Sequence, residues 1–455
     1  MRPIIHMHDK PTIKHILSEA KQILSKIGVE IQGPLLRQRL LGHGLAEDAG
    51  SRILFPPHIV DRAIAAAPSS FTLYDRQGQP HAEIGGHNVH FVPGSSALNL
   101  LDHRTGQTRP ATTADFIEYV RLAQTLPHIA YLATAFSTND ITQEIADAWR
   151  LYLCLTNATK PVVSGAFTAH GVPRMAEMMG LFRHDHADLR ARPLAIFTIT
   201  PSGSFRYGAD SCQNLLDCAA WGIPIEITPV TFLGLNAPVT LVEAAIFHTA
   251  DVLAGLTMAQ LINPGTPVLF GGAPAAFHMQ TATSPMAAIE AQGLNMGYIA
   301  VAKHLELPTQ AYMALSDAKT LDAQAGAETF AGALLAASAG INSVSGPGML
   351  DYVMLFSLAK LVLDDELCGQ ALHFVRDSKP ANHGTAISLA RELLQEKQLM
   401  TAEHTLNNWR EHLYIPRPVI DRLNRDKWKQ AGSPSLIKRA TAEVEKILAA
   451  HEPAH

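Results

Sequence analysis

The chain lacks the features of nucleic-acid-binding, disulfide-rich and membrane-spanning proteins. Its 36 Lys and Arg residues stand against 41 Asp and Glu, so it has no basic excess for binding a phosphate backbone. Four cysteines in 455 residues, none in a C-x-x-C pair, argue against a disulfide framework. No apolar run reaches the roughly 18 to 20 residues that span a bilayer. We therefore expect neither nucleic acid nor a membrane as a partner.

Short motifs of several common enzyme classes are also missing. There is no P-loop, no G-x-S-x-G elbow and no G-x-G-x-x-G after the first predicted strand. Three histidine-containing strings resemble metal motifs, at residues 6–8, 184–186 and 451–455. The first leads straight into a helix, the second lies at the wrong end of a predicted strand, and Pro453 interrupts the third. We expect no metal in this chain.

The composition and the first residues are typical of a folded cytoplasmic protein. Hydrophobic residues make up 47% and charged residues 17%, far from the balance of disordered chains. Residues 1–6 contain too short an apolar stretch for a signal peptide. We expect a cytoplasmic homo-oligomer.

Eight short β-rich runs, each followed by a helical stretch, dominate the middle of the chain. Alternating strand and helix units predict parallel strands joined by right-handed crossovers, and eight units fit a closed (β/α)8 TIM barrel. An open, doubly wound sheet is the alternative. The runs are 89–92, 131–136, 161–164, 194–200, 225–230, 268–270, 310–315 and 342–345.

Helical patterning flanks these runs on both sides. We expect an N-terminal helical extension over residues 1–86, the barrel over 87–355 and a C-terminal helical region over 356–455. Active sites of such barrels lie at the C-terminal ends of the strands, so the loops after the runs are the candidates for the site.

Glycines and aromatic residues are frequent in these loops. Gly271, Gly272, Gly346 and Gly348 allow close approach of a large ligand to the backbone, although tight turns explain them equally well. The faces of aromatic rings attract cations within about 6 Å, which makes the aromatic residues of these loops candidates for a cation-binding pocket. The alternative is that they belong to the ordinary packed core. By loop position we assign five aromatic residues to an ammonium pocket: Phe136, Phe205, Tyr207, Phe232 and Phe277.

A polar cluster follows the seventh run and contains Asp317, Lys319, Asp322 and Gln324. A lysine at a strand end can form a Schiff base if burial lowers its pKa. The alternative is a structural ion pair of Lys319 with Asp317 or Asp322.

Eight stretches along nearly the whole chain share residues with one enzyme family. They are 71–74, 101–106, 109–112, 236–241, 271–274, 316–319, 322–326 and 404–406. Together they resemble the trimethylamine methyltransferase family, in its branch without pyrrolysine that includes the glycine betaine methyltransferases.

The resemblance implies a (β/α)8 barrel that moves a methyl group from an amine to the cobalt of a corrinoid (cobalamin) carried by a separate small protein. When a quaternary amine gives up a methyl group, the rest of the molecule leaves as a neutral amine. Correct positioning of the substrate is therefore sufficient, and the chain needs neither an activated nucleophile nor a metal. Because pyrrolysine is absent, the resemblance favours a quaternary, betaine-like amine as substrate.

The resemblance and the loop positions together give the expected roles. We expect Asp317 and Lys319 to be catalytic, His278 and Gln324 to bind substrate beside the aromatic residues, and the four loop glycines to border the corrinoid. Residues 278–280 read His-Met-Gln where family members often have Asp-Met-Arg, which predicts a different polar tail on the substrate. A metal-dependent TIM-barrel hydrolase and a non-catalytic quaternary-amine-binding barrel are the alternatives.

Overall fold

The structure, a computed structural model, describes residues 2–95, 97–168, 170–379 and 385–450. Within these ranges the helices are α1 (Lys10–Lys26), α2 (Pro34–Gly42), α3 (Pro57–Ala66), α4 (Thr113–Thr125), α5 (Ala146–Asn157), α6 (Gly171–Gly180), α7 (His186–Ala191), α8 (Ala209–Trp221), α9 (Leu241–Ile262), α10 (Ile289–His304), α11 (Ala323–Ala339), α12 (Leu358–Phe374), α13 (Ala386–Glu396), α14 (Glu403–His412), α15 (Arg425–Gln430) and α16 (Leu436–Ala449).

The strands in the same ranges are short. They are β1 (Val29–Ile31), β2 (Ala46–Glu47), β3 (Arg52–Leu54), β4 (Ser70–Tyr74), β5 (Pro80–Gly85), β6 (His90–Val92), β7 (Asn99–Leu101), β8 (Thr108–Pro110), β9 (Leu132–Ala133), β10 (Val162–Gly165), β11 (Ala195–Ile199), β12 (Arg206–Tyr207), β13 (Ile225–Ile227), β14 (Phe232–Leu233), β15 (Val268–Phe270), β16 (Ala275–Ala276), β17 (Gln310–Tyr312), β18 (Ser343–Ser345), β19 (Met349–Leu350) and β20 (Leu355–Phe356).

Each of the eight predicted runs contains a strand, and these strands pair in parallel. One sheet has the order β15-β13-β11-β10-β9, and a second has the order β17-β18-β6. Single parallel bridges join Phe91 to Ile129 and Phe270 to Thr309, between the edges of these two sheets. A helix follows every one of the eight strands. The predicted alternation of parallel strands and helices is therefore confirmed, and the chain has an α/β fold.

The helix α9 has apolar residues on all of its faces, and most of the helix is buried inside the molecule. By length and composition it is the one helix among the described residues that could cross a membrane, yet 83% of its apolar window is buried. It packs against α1, α3, α8 and α10. A helix that is hydrophobic on all sides is typical of a protein core.

The N-terminal region is mixed, not wholly helical as its periodicity indicates. It contains α1–α3, but β1 pairs with β12 and β3, and β4 forms an antiparallel hairpin with β5. Leu73 and Ile84 of this hairpin pack against Ile196 and Leu269 of the parallel strands. Strands β1, β2 and β3 have only two or three residues and carry almost no alternation in the sequence, whereas β4 and β5 are five and six residues long and shortness does not explain their omission.

After residue 356 the described chain contains helices α12–α16. The helix α12 is buried between α11 and α16, whereas α13, α14 and α15 contain no buried residue. The histidine string at 451–455 lies outside the described residues.

Candidate active site

A cavity of about 390 Å³ lies beside the carboxyl ends of β10, β11, β13 and β17. Active-site cavities of parallel α/β proteins lie at this edge of the strands. The lining combines small, hydroxyl-bearing and aromatic side chains: Ser95, Gly165, Ala166, Phe167, Thr198, Ile199, Thr200, Asp210, Ser211, Asn214, Thr228, Val230, Ala273, Met286, Tyr312 and Val353.

Two aromatic residues line the cavity. Phe167 is 55% exposed, and the guanidinium of Arg150 lies 4.8 Å from the centre of its ring. Tyr312 is buried and donates a hydrogen bond to the backbone oxygen of Ser95 at 3.0 Å. Both rings are able to contact a cation in the cavity.

The charge of the lining is negative. The described lining contains one charged residue, the exposed Asp210. It contains no Lys, Arg or His. A cation outside the described lining, Arg150, contacts the Phe167 ring and donates to the backbone oxygens of Ala146 and Thr134 at 3.2 Å. The cavity therefore suits a cationic ligand better than an anionic one.

A buried carboxyl group, Glu226 on β13, lies next to the described lining of the cavity. Glu226 is paired in register with Thr198 of β11, a lining residue whose hydroxyl donates to Glu226 Oε1 at 2.6 Å. The second oxygen, Oε2, has no hydrogen-bond partner among the residues that the structure describes, and Glu226 is only 1% exposed. Burial raises the pKa of Glu226 to about 7, opposed by the Thr198 hydrogen bond.

Sequence reasoning did not select Glu226, although one signal for it was present. It is a single charged residue between two isoleucines in a strand buried on both faces. A carboxyl group in such a position is rare unless it is paired or has a function.

The aromatic residues assigned by loop position lie outside the described lining. Phe136 is fully buried, with its ring 5.1 to 5.6 Å from the rings of Phe116, Tyr119 and Phe356. This cluster packs α4 against the strands. The assignment of Phe136 to an ammonium pocket stays a prediction.

The other four aromatic residues lie near β12, β14 and β16. Phe205 packs against Phe247, and the Tyr207 hydroxyl donates to the backbone oxygen of Asp251 at 2.9 Å. Phe232 is part of β14, and the amide of Phe277 donates to the backbone oxygen of Leu233. Their roles also stay predictions.

Asp317 is the predicted polar residue that lies nearest to the cavity. It is buried, and its carboxylate accepts the backbone amides of Met286 at 3.1 Å and Ala287 at 2.8 Å. Met286 itself lines the cavity. Burial raises the pKa of Asp317 to about 6. Asp317 thus fixes one wall of the cavity.

Lys319 forms its ion pair with Asp351, not with Asp317 or Asp322. Its ammonium donates to the backbone oxygen of Asp317 at 2.7 Å, pairs with Asp351 at 3.4 Å and lies 4.0 Å from the Tyr352 ring centre. The carboxylate of Asp322 instead caps α11 by accepting the amide of Ala325. Burial tends to lower the pKa of Lys319, but the contacts to Tyr352 and Asp351 raise it overall. A protonated, half-exposed ammonium does not meet the condition for a Schiff base.

His278 and Gln324 are both exposed. His278 Nδ1 lies 2.8 Å from the hydroxyl of Thr281, and Gln324 donates to Glu328 at 2.8 Å. Neither belongs to the described lining, and their substrate-binding roles stay predictions.

The four loop glycines are buried and closely packed. A Cβ at Gly271 would come within 2.6 Å of Gln310 Oε1, and one at Gly272 within 2.4 Å of the His248 ring. At Gly346 it would meet the backbone of Ala314, and at Gly348 the ring of Phe356. Close packing therefore explains these glycines, and their contact with a corrinoid stays a prediction.

Within the described ranges, no group of three His, Cys, Asp or Glu side chains is arranged to hold a metal ion.

Comparison with known proteins gives the family. The family model described as trimethylamine methyltransferase matches residues 1–455. The chain is 27% identical to a trimethylamine methyltransferase of Methanosarcina acetivorans, covering 96% of this chain and 90% of that one. It is 26% identical to the glycine betaine methyltransferase of Desulfitobacterium hafniense, covering 97% and 92%.

A solved structure has the same fold. The monomethylamine methyltransferase of Methanosarcina barkeri superposes with a TM-score of 0.59 at 11% identity, covering 98% of this chain and 88% of that one. This likeness concerns the fold alone, whereas the family match extends over the whole sequence. The chain belongs to the trimethylamine methyltransferase family and is a methyltransferase.

Proposed function

We propose that this methyltransferase moves a methyl group from a quaternary amine to the cobalt of a corrinoid carried by a separate small protein. The observation that carries the proposal is the cavity at the strand ends, with two aromatic rings, an acidic residue and no basic one in its described lining. Aromatic and carboxylate groups are what proteins use to bind a quaternary ammonium.

We further propose that the eight parallel strands close into a (β/α)8 barrel. Pairing of β18 with β6 and the two single bridges, Phe91 to Ile129 and Phe270 to Thr309, support closure. The cavity then occupies the mouth of the barrel. Division into residues 1–86, 87–355 and 356–455, a homo-oligomer and a cytoplasmic location are further parts of this proposal.

The size of the cavity bears on where the corrinoid sits. A volume of about 390 Å³ is at the small end of ligand sites, so it suits a small methylated amine but not a corrin macrocycle. The corrinoid is therefore presented at the mouth by its carrier protein, and it supplies the nucleophilic metal centre that accepts the methyl group.

The residues of the chain bind and orient the amine. Phe167 and Tyr312 contact the N-methyl groups, and Asp210 and Glu226 supply negative charge. One N-methyl group must point out of the cavity in line with the acceptor. Because the leaving amine is neutral, no side chain has to deliver a proton to it.

The proposal is tested with purified protein, a reduced corrinoid and a panel of choline, carnitine, betaines and tertiary amines. Methylation of the corrinoid, followed by its absorbance change, is expected with a quaternary amine and not when the amine is omitted. Silence across the panel, also with a cognate corrinoid protein, would contradict the proposal. Calorimetric binding without turnover would then favour a non-catalytic amine-binding barrel.

Replacing Phe167 by Leu tests the aromatic contact. Loss of a cation–π contact of about 0.5–2 kcal/mol is expected to weaken amine binding roughly 2- to 30-fold, measured by calorimetry. Phe374→Leu is the control, because Phe374 is similarly exposed at 59% but lies at the end of α12. Equal affinities for the two variants would place the ammonium away from Phe167.

A further inference from the structure

We propose that Glu226 is the buried counter-ion of the amine site, that it makes the cavity select methylammonium cations over zwitterions such as betaines, and that the bound cation displaces its carboxyl proton. This inference rests on the proposed function, because it takes the cavity as the amine site. It names the substrate class within that function.

The position of Glu226 places its side chain against the cavity. Glu226 and Thr228 are two residues apart along one extended segment, so their side chains lie on the same face. Thr228 lines the cavity, and so does Thr198, the registered neighbour that donates to Glu226. The carboxyl group therefore lies directly beneath the floor that these two threonines form.

Among the described residues, one oxygen of the carboxyl group and one neighbouring hydroxyl have no hydrogen-bond partner. Glu226 Oε2 and the hydroxyl of Thr228 are both buried without a hydrogen bond. Leaving a buried polar oxygen unpaired is costly, and for a charged one the cost is larger. A cation entering the cavity would supply the missing interaction.

Three tyrosines among the described residues interact with the charge of Glu226, and their raised pKa values keep them neutral. Burial is the largest cause that raises the pKa of Tyr298 and of Tyr312, and the charge of Glu226 is the second. Burial and the charge of Glu226 also raise the pKa of Tyr131. The registered neighbour on β15 is Leu269, which is apolar. No Lys, Arg or His in the described lining offsets the carboxylate. The ligand itself is therefore the group that can balance this charge.

The same lining is unsuited to a carboxylate tail. A betaine would bring a second negative group into a cavity that contains Asp210 and overlies Glu226, without a described cation to bind it. Like charges in a small, partly dry site are unfavourable. A methylammonium ligand without a carboxylate avoids this repulsion.

Proton displacement makes the binding depend on pH. In the protein without ligand, the pKa of Glu226 is about 7. Below pH 7 the cation therefore competes with the proton on this carboxyl group. Cation affinity is therefore expected to rise roughly tenfold from pH 6 to pH 8. Three further carboxyl groups lie in or directly behind the described lining: Asp210 within it, Asp317 behind Met286 with a pKa of about 6, and Asp147, which accepts the backbone amide of Phe167. Any dependence on pH left in a Glu226 variant between pH 6 and pH 8 would come from Asp317.

The test is calorimetry with tetramethylammonium, choline and glycine betaine at pH 6 and pH 8, in two buffers that differ in ionisation enthalpy. We expect both cations to bind at least tenfold more tightly than glycine betaine at pH 8, and close to one proton to be released at pH 6. Absence of cation binding, or tighter binding of glycine betaine, would overturn the inference.

The decisive variant is Glu226→Gln, which keeps the shape and removes the charge. It is expected to lose the proton release and at least roughly tenfold of the cation affinity at pH 8, with glycine betaine changed much less. Glu177→Gln, at an exposed position of α6, is the control. Unchanged cation affinity and pH dependence in Glu226→Gln would overturn the inference.

A second variant covers the case in which Glu226→Gln does not fold. Thr198→Val removes the hydroxyl that stabilises the carboxylate, so the midpoint of the pH dependence of cation binding is expected to move upward. An unmoved midpoint contradicts the inference. Cation binding that depends on Glu226, without methyl transfer, would refute only the proposed function. Methyl transfer from a betaine at a rate that Glu226→Gln does not change would refute only this inference.

Discussion

Replacing Ala273 by Phe is expected to abolish methyl transfer while the protein remains folded. Ala273 follows β15 and lines the cavity, and its amide donates to the backbone oxygen of Pro229 at 3.0 Å, a bond that the substitution leaves in place. The phenyl ring would occupy the space for the amine. Displacing a reacting group by about 1 Å costs roughly 100-fold in rate, so a loss of at least that size is expected in initial rates of corrinoid methylation.

A control separates blocking from unfolding. Ala327→Phe places the same ring on an exposed position of α11 and is expected to leave the rate unchanged. Ala166→Phe, at a less buried position of the lining, is a second blocking variant in case Ala273→Phe lowers the melting temperature. Full activity in both blocking variants would mean that the amine binds elsewhere.

The strands could be predicted from the sequence because each is a short apolar run that ends near Gly, Pro, Ser or Asn. The run 268–270 agrees with β15 residue for residue, whereas the run 131–136 contains only the two-residue β9. Periodicity alone does not show where hydrogen-bonded pairing stops, since that depends on the neighbouring strand. Strands β1–β3 escaped prediction because two or three residues show almost no alternation, and the longer β4 and β5 were missed as well.

The cavity residues could be predicted less well, because loop position does not show which way a side chain points. Tyr131 and Ala133 pack with the hairpin residue Leu73 inside the strands, so Phe136, an odd number of residues away, faces the helices. Strict alternation along the run 131–136 places Phe136 on the opposite face from Tyr131 and Ala133. The position of Glu226 against Thr198 depends on strand register, which the sequence does not contain.

Replacing Lys360 by Met is expected to lower the free energy of unfolding by about 3–5 kcal/mol, because it leaves a buried carboxylate unpaired. Lys360 and Asp364 lie one turn apart on α12, and both side chains are fully buried. The ammonium binds Asp364 and donates to Thr329 of α11 at 2.8 Å. Asp364 also accepts the amide of Gly348 at 2.7 Å, so the pair joins α11 and α12 to the loop after β18.

The effect of Lys360→Met should depend on pH. Burial raises the pKa of Asp364 above its ordinary value, and loss of the ammonium raises it further. A carboxyl group with a raised pKa in the folded state contributes stability at low pH that is lost as pH rises. Chemical denaturation is therefore expected to show a larger loss at pH 8 than at pH 5.

The double variant Lys360→Met with Asp364→Asn separates the charge from the packing. The amide oxygen of Asn can still accept from Gly348, and no buried charge is left, so much of the lost stability is expected to return. Lys438→Met, at an exposed position of α16, should change the free energy of unfolding by less than about 0.5 kcal/mol. Equal losses in the single and double variants would mean that the methionine packs poorly, and that the unpaired carboxylate is not the cause.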